Sequence, residues 1–155
     1  MKSQTKFLVL LMLALIPIVI YALKNGGSSG VKPEIYTEMS FQEAQAKASV
    51  NGEILIVKAT ATWCGPCRVM DQTTMQDPQV VQWIKDNAIV VSLDVDEESS
   101  QARALRISAV PTLMAFKGTQ EVSRVMGSQS SEEFLTWLNG VKAGSAPGVT
   151  PMQVK

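Results

Sequence analysis

The two cysteines of this chain, Cys64 and Cys67, are separated by Gly65 and Pro66, and they are the residues best suited to chemistry. When such a pair lies where a strand runs into a helix, the first sulfur meets the N–H groups and the positive dipole of the helix N-terminus. Both favour the thiolate. Because the thiolate is the attacking species in disulfide exchange, the spacing predicts redox chemistry through the two sulfurs.

Zinc binding and a static disulfide are the competing explanations of the pair. A structural zinc site takes about four ligands. A chain with two cysteines and no histidine supplies half of them, so zinc would require a dimer or distant carboxylates. A static disulfide would close so short a loop that it removes little chain entropy. Absence of histidine also excludes Cys–His and Ser–His catalysis. We therefore expect no metal, and no cofactor beyond the cysteine pair itself.

Length and charge limit the class of protein. The chain has 155 residues, is 46% hydrophobic and carries a formal net charge of zero. This composition is typical of one globular domain with appendages. No basic face or stripe is present, so nucleic acid is not an expected partner. The acidic run from Asp94 to Glu98 lacks the glycine of a calcium-binding loop, and we interpret it as a solvated strand end.

The N-terminus carries an uncharged apolar run at 7–23, preceded by Lys2 and Lys6 and followed by Lys24. We expect one apolar helix here, acting as a signal sequence or a membrane anchor. The length of the run favours the anchor, and secretion after cleavage stays open as the alternative. Positive charge before the run favours keeping that end inside. The rest of the chain is therefore expected on the extracytoplasmic, periplasmic side of a cell membrane.

Composition divides the chain into four parts. Residues 1–24 form the signal-anchor segment and 25–33 a flexible linker rich in Gly and Ser. Residues 34–142 show the alternating apolar patterns of a globular domain. Residues 143–155 are rich in Gly, Ser, Pro and Thr and are expected to be disordered.

Apolar patterns and cap residues predict the elements that position the cysteines. A helix is expected at 40–49, with Ser40 and Glu43 as a capping box. An aliphatic run predicts a buried strand at 53–61, which ends just before Cys64. Another helix begins at the cysteines and breaks near Asp77 and Pro78. The remaining expected elements are strands at 89–95, 112–117 and 121–125 and helices at 99–106 and 131–141, the last capped by Ser131.

Four features in order resemble the thioredoxin family over residues 34–142. They are the strand 54–61, the motif Trp63-Cys64-Gly65-Pro66-Cys67, the run Val110-Pro111-Thr112, and Gly127 before the last helix. The resemblance implies an α/β thioredoxin fold with a central mixed sheet flanked by helices. It also implies that Cys64 is the exposed nucleophile, Cys67 the buried resolving thiol and Pro111 a cis-proline. The substrate-binding rim would consist of Trp63, Gly65, Pro66, Val110 and Gly127, with an extended substrate segment pairing beside Val110.

The same resemblance implies a thiol–disulfide oxidoreductase that acts on protein thiols and disulfides. Gly-Pro between the cysteines resembles the reducing thioredoxins, so we expect an extracytoplasmic reductase. The short interval from Cys64 to Pro111 leaves no room for an inserted domain. A looser match resembles the C-terminal domain of DsbD-type interchange proteins and consists of Met70, Thr74, Asp77, Pro78 and Val80. An extracytoplasmic reductase would need a transmembrane electron donor of the DsbD or CcdA kind. A thiol oxidase or isomerase, and a non-catalytic binding module, stay open as alternatives.

Lys58 departs from the family pattern, because it stands where the family usually has a buried aspartate. The usual lysine partner of that aspartate falls at Ser92. Lys58 could be neutral through burial and accept the proton of Cys67. It could instead be charged and paired with Asp94, which should share the face of Ser92. Its stem could also be buried while the ammonium reaches water. A charged Lys58 would favour the thiolate, so we expect Lys58 to influence the redox potential of the pair.

Overall fold

The computed structural model describes residues 33–146 and, outside this range, Ile16. Residues 33–146 belong to the second of two units into which the chain divides, Val31–Lys155. The predicted anchor at 7–23, apart from Ile16, the predicted linker, apart from Pro33, and the tail beyond residue 146 lie outside the described residues. None of the helices in 33–146 combines the length and the apolar character needed to cross a membrane.

A four-stranded mixed sheet carries helices on both faces, as the α/β expectation required. The strands are β1 (Ile54–Thr60), β2 (Ala88–Asp94), β3 (Thr112–Lys117) and β4 (Gln120–Met126). The helices are α1 (Phe41–Asn51), α2 (Gly65–Gln72), α3 (Pro78–Asn87), α4 (Ser99–Ala104) and α5 (Ser131–Ala143). The sheet order is β2-β1-β3-β4. β1 is parallel to β2 and antiparallel to β3, and β3 is antiparallel to β4.

β1 is the central strand, and its sequence explains its position. Ile54, Leu55, Ile56 and Val57 are all buried, because both faces of this strand are covered. Successive side chains point to opposite faces. Ile54 and Ile56 belong to the core shared with α3 and α5, whereas Leu55 and Val57 belong to the core shared with α1 and α4. The loop that follows β1 and the two cysteines therefore lie at the C-terminal end of a buried inner strand.

Capping residues fix the helix ends, and one of them differs from the prediction. The Ser40–Glu43 capping box at α1 is confirmed. At α5 the predicted cap, Ser131, is wrong, because the cap is Ser130. The N–H of Glu133 donates to Oγ of Ser130, and the Glu133 carboxylate accepts from the Ser130 N–H at 2.8 Å. A capping box needs a glutamate three residues after the cap, and Glu133 meets this requirement for Ser130.

The helix that begins at the cysteines ends earlier than predicted. α2 stops at Gln72, a short 3-10 turn follows at Thr74–Gln76, and α3 begins at Pro78 with Asp77 as its cap. The Thr73 hydroxyl donates to the Val69 carbonyl at 2.8 Å, and the Thr74 hydroxyl donates to the Gln129 carbonyl at 2.6 Å. Side-chain hydroxyls that bond to backbone in this way compete with the helix, so they favour an end of α2 before the predicted break at Asp77 and Pro78.

The C-terminal end of the domain lies beyond the predicted boundary at 142. α5 continues to Ala143, and Gly144 caps it with a φ of 75°, in the left-handed region that favours glycine. The N–H groups of Ser145 and Ala146 donate to the Gly140 carbonyl. Residues 143–146, predicted as the start of a disordered tail, therefore belong to the helix and its cap.

Candidate functional site

Cys64 and Cys67 are joined by a disulfide at the N-terminus of α2. Cys64 is the N-cap residue of this helix, and its Sγ accepts a hydrogen bond from the Cys67 N–H at 3.2 Å. Pro66 lies in the first turn, where its missing N–H costs nothing. The predicted placement of the first sulfur at a helix N-terminus is confirmed. This placement favours the Cys64 thiolate once the disulfide is reduced.

The two cysteines differ little in exposure. Cys67 is 0% exposed, as the resemblance implied, but Cys64 is 3% exposed. The expectation of an exposed nucleophile is therefore wrong for the disulfide form. Both cysteines form a small apolar cluster with Ala61, against which Val95 and Val110 pack. This packing covers most of the Cys64 side chain.

The peptide bond between Val110 and Pro111 is cis, as expected from the resemblance. The carbonyl of Pro111 accepts a hydrogen bond from the Gly127 N–H at 2.8 Å. Gly127 has a φ of 92°, a conformation that L side chains rarely adopt. The Thr112 hydroxyl donates to the Ala109 carbonyl at 2.7 Å on the other side of the proline. Gly127 thus supports the proline loop through its backbone, and Val110 packs against the cysteines.

The rim around the disulfide contains exposed apolar side chains. Trp63 is 65% exposed and Met126, the last residue of β4, is 62% exposed. The Trp63 indole N–H donates to a carboxylate oxygen of Asp96 at 2.8 Å. Neither this bond, made by a residue of the predicted solvated strand end, nor the exposure of Met126 was predicted from the sequence. The position of Met126 directly before Gly127 was the available signal.

Lys58 lies in the interior and pairs with Asp71 of α2. Its side chain is 0% exposed, and Nζ lies 2.9 Å from both carboxylate oxygens of Asp71. The alternative in which Lys58 pairs with Asp94 is wrong, because Asp71 is the carboxylate that Nζ contacts. Asp94 accepts from the N–H of Asp96 at the end of β2. The prediction that the ammonium reaches water is also wrong, since the side chain is fully buried. Burial lowers the pKa of Lys58, and the hydrogen bond and charge of Asp71 oppose that change.

Tyr36 completes this buried cluster from the segment before α1. Its hydroxyl donates to Oδ1 of Asp71 at 2.6 Å, and its ring centroid lies 5.8 Å from Nζ of Lys58. Burial raises the pKa of Tyr36, and the adjacent Asp71 charge raises it further. The sequence analysis missed Asp71 and Tyr36. Asp71 had one signal, because it lies one helical turn after Cys67, whereas nothing in the sequence connects Tyr36 with Lys58.

Comparison with known proteins gives one consistent result. The family model described as Thioredoxin matches residues 32–140. Thioredoxin H2-2 of Oryza sativa subsp. japonica is 32% identical over 117 residues, which cover 72% of this chain and 80% of the relative. A thioredoxin of Staphylococcus aureus is 32% identical over 97 residues, covering 63% of this chain and 90% of the relative.

A solved structure supports the same relationship. The thioredoxin from Thermus thermophilus has a TM-score of 0.61 and 30% sequence identity, covering 68% of this chain and 85% of that protein. Its fold and the matched sequence therefore agree over the part of the chain that contains the cysteines. The chain belongs to the thioredoxin family, and it is a thiol–disulfide oxidoreductase of the protein-disulfide reductase type with Cys64 and Cys67 as its redox pair.

Proposed function

We propose that this protein is a membrane-anchored, outward-facing reductase that passes electrons to disulfides in protein substrates. The observation that carries the exchange chemistry is the Cys64–Cys67 disulfide at the N-terminus of α2, beside the cis peptide of Pro111. Gly-Pro between the cysteines supports the reducing direction. The uncharged apolar run at 7–23 supports the anchor and the extracytoplasmic location.

The exchange proceeds in two steps. The Cys64 thiolate attacks one sulfur of the substrate disulfide, the substrate S–S bond breaks, and the departing sulfur takes the electron pair and a proton. Cys67 then loses its proton and attacks Sγ of Cys64. The bond between Cys64 and the substrate breaks, and the second substrate sulfur leaves as a thiol. Two electrons have then moved from the cysteine pair to the substrate, and the Cys64–Cys67 disulfide is restored.

The rim supports recognition of an extended protein segment. Trp63 and Met126 are exposed apolar side chains, and half-buried Val110 lies directly before the cis peptide bond. An extended segment that pairs through its backbone is recognised with little dependence on its side chains. We therefore propose a broad range of protein disulfides as substrates.

Electrons for an outward-facing reductase must come from across the membrane. We propose a transmembrane dithiol donor of the DsbD or CcdA kind. The resemblance of Met70, Thr74, Pro78 and Val80 to DsbD-type proteins motivates this choice. Three of these positions, Met70, Thr74 and Val80, are buried in the domain, so their side chains serve packing.

Reduction of insulin by dithiothreitol tests the exchange chemistry. We expect the wild-type protein to accelerate insulin precipitation and Cys64→Ser to abolish the acceleration, because Cys64 forms the mixed disulfide. Unfolding of both proteins in urea provides the control for folding. Equal rates with wild type, with Cys64→Ser and without protein would favour the binding module over the reductase.

The redox state in intact cells tests the direction. Alkylation of thiols with a bulky maleimide shifts the reduced protein on a gel. A reductase supplied with electrons from the membrane is expected to be mostly reduced. A mostly oxidised protein would contradict the reducing direction and favour a thiol oxidase.

A further inference from the structure

Two opposite charges lie beneath the cysteines. Lys58 on β1 is 0% exposed, and its ammonium contacts both carboxylate oxygens of Asp71 at 2.9 Å. A buried charge is costly unless it is paired and hydrogen-bonded. The exchange reaction as described above assigns no task to this pair.

The ion pair has a defined direction relative to the redox site. Nζ of Lys58 also donates to the backbone carbonyl of Cys67 at 3.4 Å. The side chain of Asp71 is 24% exposed, so the negative end of the pair faces towards the surface. The positive end of the pair therefore lies at the backbone carbonyl of Cys67.

The neighbours of the pair are limited to a few groups. Within residues 33–146, the titratable groups recorded against Nζ of Lys58 are the Asp71 carboxylate and the Tyr36 phenol. Tyr36 donates to Asp71 at 2.6 Å, so three hydrogen bonds hold this carboxylate in place. The orientation of the ion pair is thus fixed by three parts of the fold: β1, which carries Lys58, α2, which carries Asp71, and the segment before α1, which carries Tyr36.

Cys67 needs help to ionise in this position. It is 0% exposed, and burial disfavours a thiolate because water cannot solvate the charge. Nevertheless, Cys67 must lose its proton before it can attack Sγ of Cys64. A cation fixed beside Cys67 would supply the stabilisation that water cannot.

We propose that Lys58 and Asp71 are positioning residues for the resolving step, in which Lys58 stabilises the Cys67 thiolate and Asp71 holds Lys58 charged and in place. In this step the proton lost by Cys67 is balanced by the proton taken up by the departing substrate sulfur. The proposal rests on exchange through the cysteine pair, but it depends on neither the location nor the electron donor proposed above.

The proton affinity of Cys67 is the first readout, measured by ultraviolet absorption of its thiolate in the Cys64→Ala chain. Adding Lys58→Met is expected to raise the Cys67 pKa by about 1 or more, because the cation is lost and the Asp71 anion remains. Adding Asp71→Asn to Lys58→Met removes the anion and is expected to lower the pKa again, to a value still above that of the parent. If the two residues were merely structural, adding Asp71→Asn would raise the Cys67 pKa further instead of lowering it.

The rate of the resolving step is the second readout, measured in the full chain with both cysteines. Reduced protein reacts with dithiobis-nitrobenzoate in two steps, of which the first reports attack by Cys64 and the second reports resolution by Cys67. We expect Lys58→Met to slow the second release by about threefold at neutral pH, because a pKa rise of about 1 lowers the thiolate fraction about tenfold and the greater nucleophilicity of the more basic thiolate recovers part of that loss. The double variant is expected to recover part of this loss.

Controls separate the possible outcomes. Glu97→Gln removes one exposed negative charge and is expected to leave both readouts unchanged. If Lys58→Met does not fold, the double variant serves instead, because it contains no unpaired buried charge. Its Cys67 pKa must still be higher than that of the Cys64→Ala parent. Failure of the wild type to release a second nitrobenzoate would contradict exchange through the pair itself. If the wild type releases both nitrobenzoates, two results overturn the proposal. One is a Cys67 pKa that Lys58→Met leaves unchanged, and the other is a Cys67 pKa that is higher in the double variant than in Lys58→Met.

Discussion

The two sulfurs of the redox pair have different surroundings, and this difference favours different roles for them. Sγ of Cys64 accepts a hydrogen bond from the Cys67 N–H at the start of α2. The helix N-terminus therefore favours the thiolate form of Cys64. Cys67 lies one turn inside the helix, fully buried, with Lys58 at its carbonyl. Cys64 is therefore suited to attack a substrate and Cys67 to resolve the mixed disulfide.

Tyr36→Phe tests the hydrogen bond that fixes Asp71. The substitution removes the phenol donor at 2.6 Å and keeps the ring beside Lys58. We expect the free energy of unfolding to fall by about 1 kcal/mol. The loss is limited because water can reach the half-buried Asp71 carboxylate and form a hydrogen bond in place of the Tyr36 hydroxyl. Urea unfolding of the disulfide form measures the change. An unfolding free energy equal to that of the wild type would show that Tyr36 does not hold Asp71.

Sequence reasoning succeeded for the cysteines and failed for the partner of Lys58, for physical reasons. The cysteines are neighbours on one helix, so their local spacing determines their geometry. The register that places Lys58 opposite Ser92 was also predictable, because the family pattern puts the usual partner of position 58 at Ser92. The choice of Asp71 over Asp94 depends on how α2 packs on the sheet, and a single sequence contains no direct signal of that packing.

At the level of elements, helix N-termini organise both the site and the stability of the domain. The N-cap residue of α2 is Cys64, that of α3 is Asp77 and that of α5 is Ser130. In each case a side-chain sulfur or oxygen accepts an N–H of the first turn, which would otherwise lack a partner. The same local physics therefore caps two structural helices and prepares one sulfur for chemistry.

Ser130→Ala and Ser131→Ala form a matched pair that tests the cap of α5. Ser130→Ala removes the acceptor of the Glu133 N–H and is expected to cost about 1 kcal/mol of stability. Ser131→Ala removes a hydroxyl that bonds the Asp77 carboxylate but accepts no N–H of α5, and it is expected to cost less than Ser130→Ala. Urea unfolding of both variants measures the difference. The reverse order of the two losses would show that Ser131 is the cap.

The carboxylate that caps α3 predicts a pH dependence of stability. Hydrogen bonds from the Gln79 N–H chiefly, then from the Ser131 hydroxyl and to a smaller extent from the Val80 N–H, hold the pKa of Asp77 below its ordinary value. A carboxyl group with a lowered folded-state pKa contributes stability that is fully present above its unfolded pKa. We therefore expect stability to fall as the pH drops through the ordinary aspartate range and below it.

Asp77→Asn is the matched variant, because asparagine also caps helices but does not ionise. Its stability is expected to fall less steeply between about pH 5 and pH 2 than that of the wild type. The measurement is the urea midpoint as a function of pH. Glu43 and Glu133, whose pKa values are also lowered by backbone hydrogen bonds, contribute equally to both proteins. Parallel pH profiles for the two proteins would contradict the role of the Asp77 charge.

Most elements were predictable because their patterns are local. The aliphatic run of β1 and the capping box of α1 needed no tertiary information. The end of α2 did need it, because Thr74 donates to the carbonyl of Gln129, far away in the sequence. The extension of α5 to Ala143 likewise depends on packing of Ala146 against the core.

At the level of the whole molecule, the sheet provides a rigid base and the chemistry lies at one edge. Both faces of the sheet are covered by helices and apolar side chains. The cysteines follow β1, the cis peptide bond precedes β3 and Gly127 follows β4. Three adjacent strands thus bring together residues that are distant in the sequence.

Membrane fractionation of the full chain tests the proposed anchor. We expect the protein to remain with the membranes after an alkaline carbonate wash, because the length of the run at 7–23 is at the lower limit for a helix that spans the hydrocarbon core. A chain that begins at Val31 is expected in the soluble fraction and serves as the control. Recovery of the full chain in the same fraction as this control would contradict the anchor and favour secretion after cleavage.

The most direct test of disulfide exchange through Cys64 is capture of the mixed disulfide in cells that express Cys67→Ala. Without the resolving thiol, Cys64 is expected to remain covalently joined to protein substrates, giving adducts on a non-reducing gel that disappear with dithiothreitol. The double variant Cys64→Ala, Cys67→Ala is expected to give none. Absence of adducts with Cys67→Ala, or equal adducts in the double variant, would contradict a mechanism in which Cys64 attacks and Cys67 resolves.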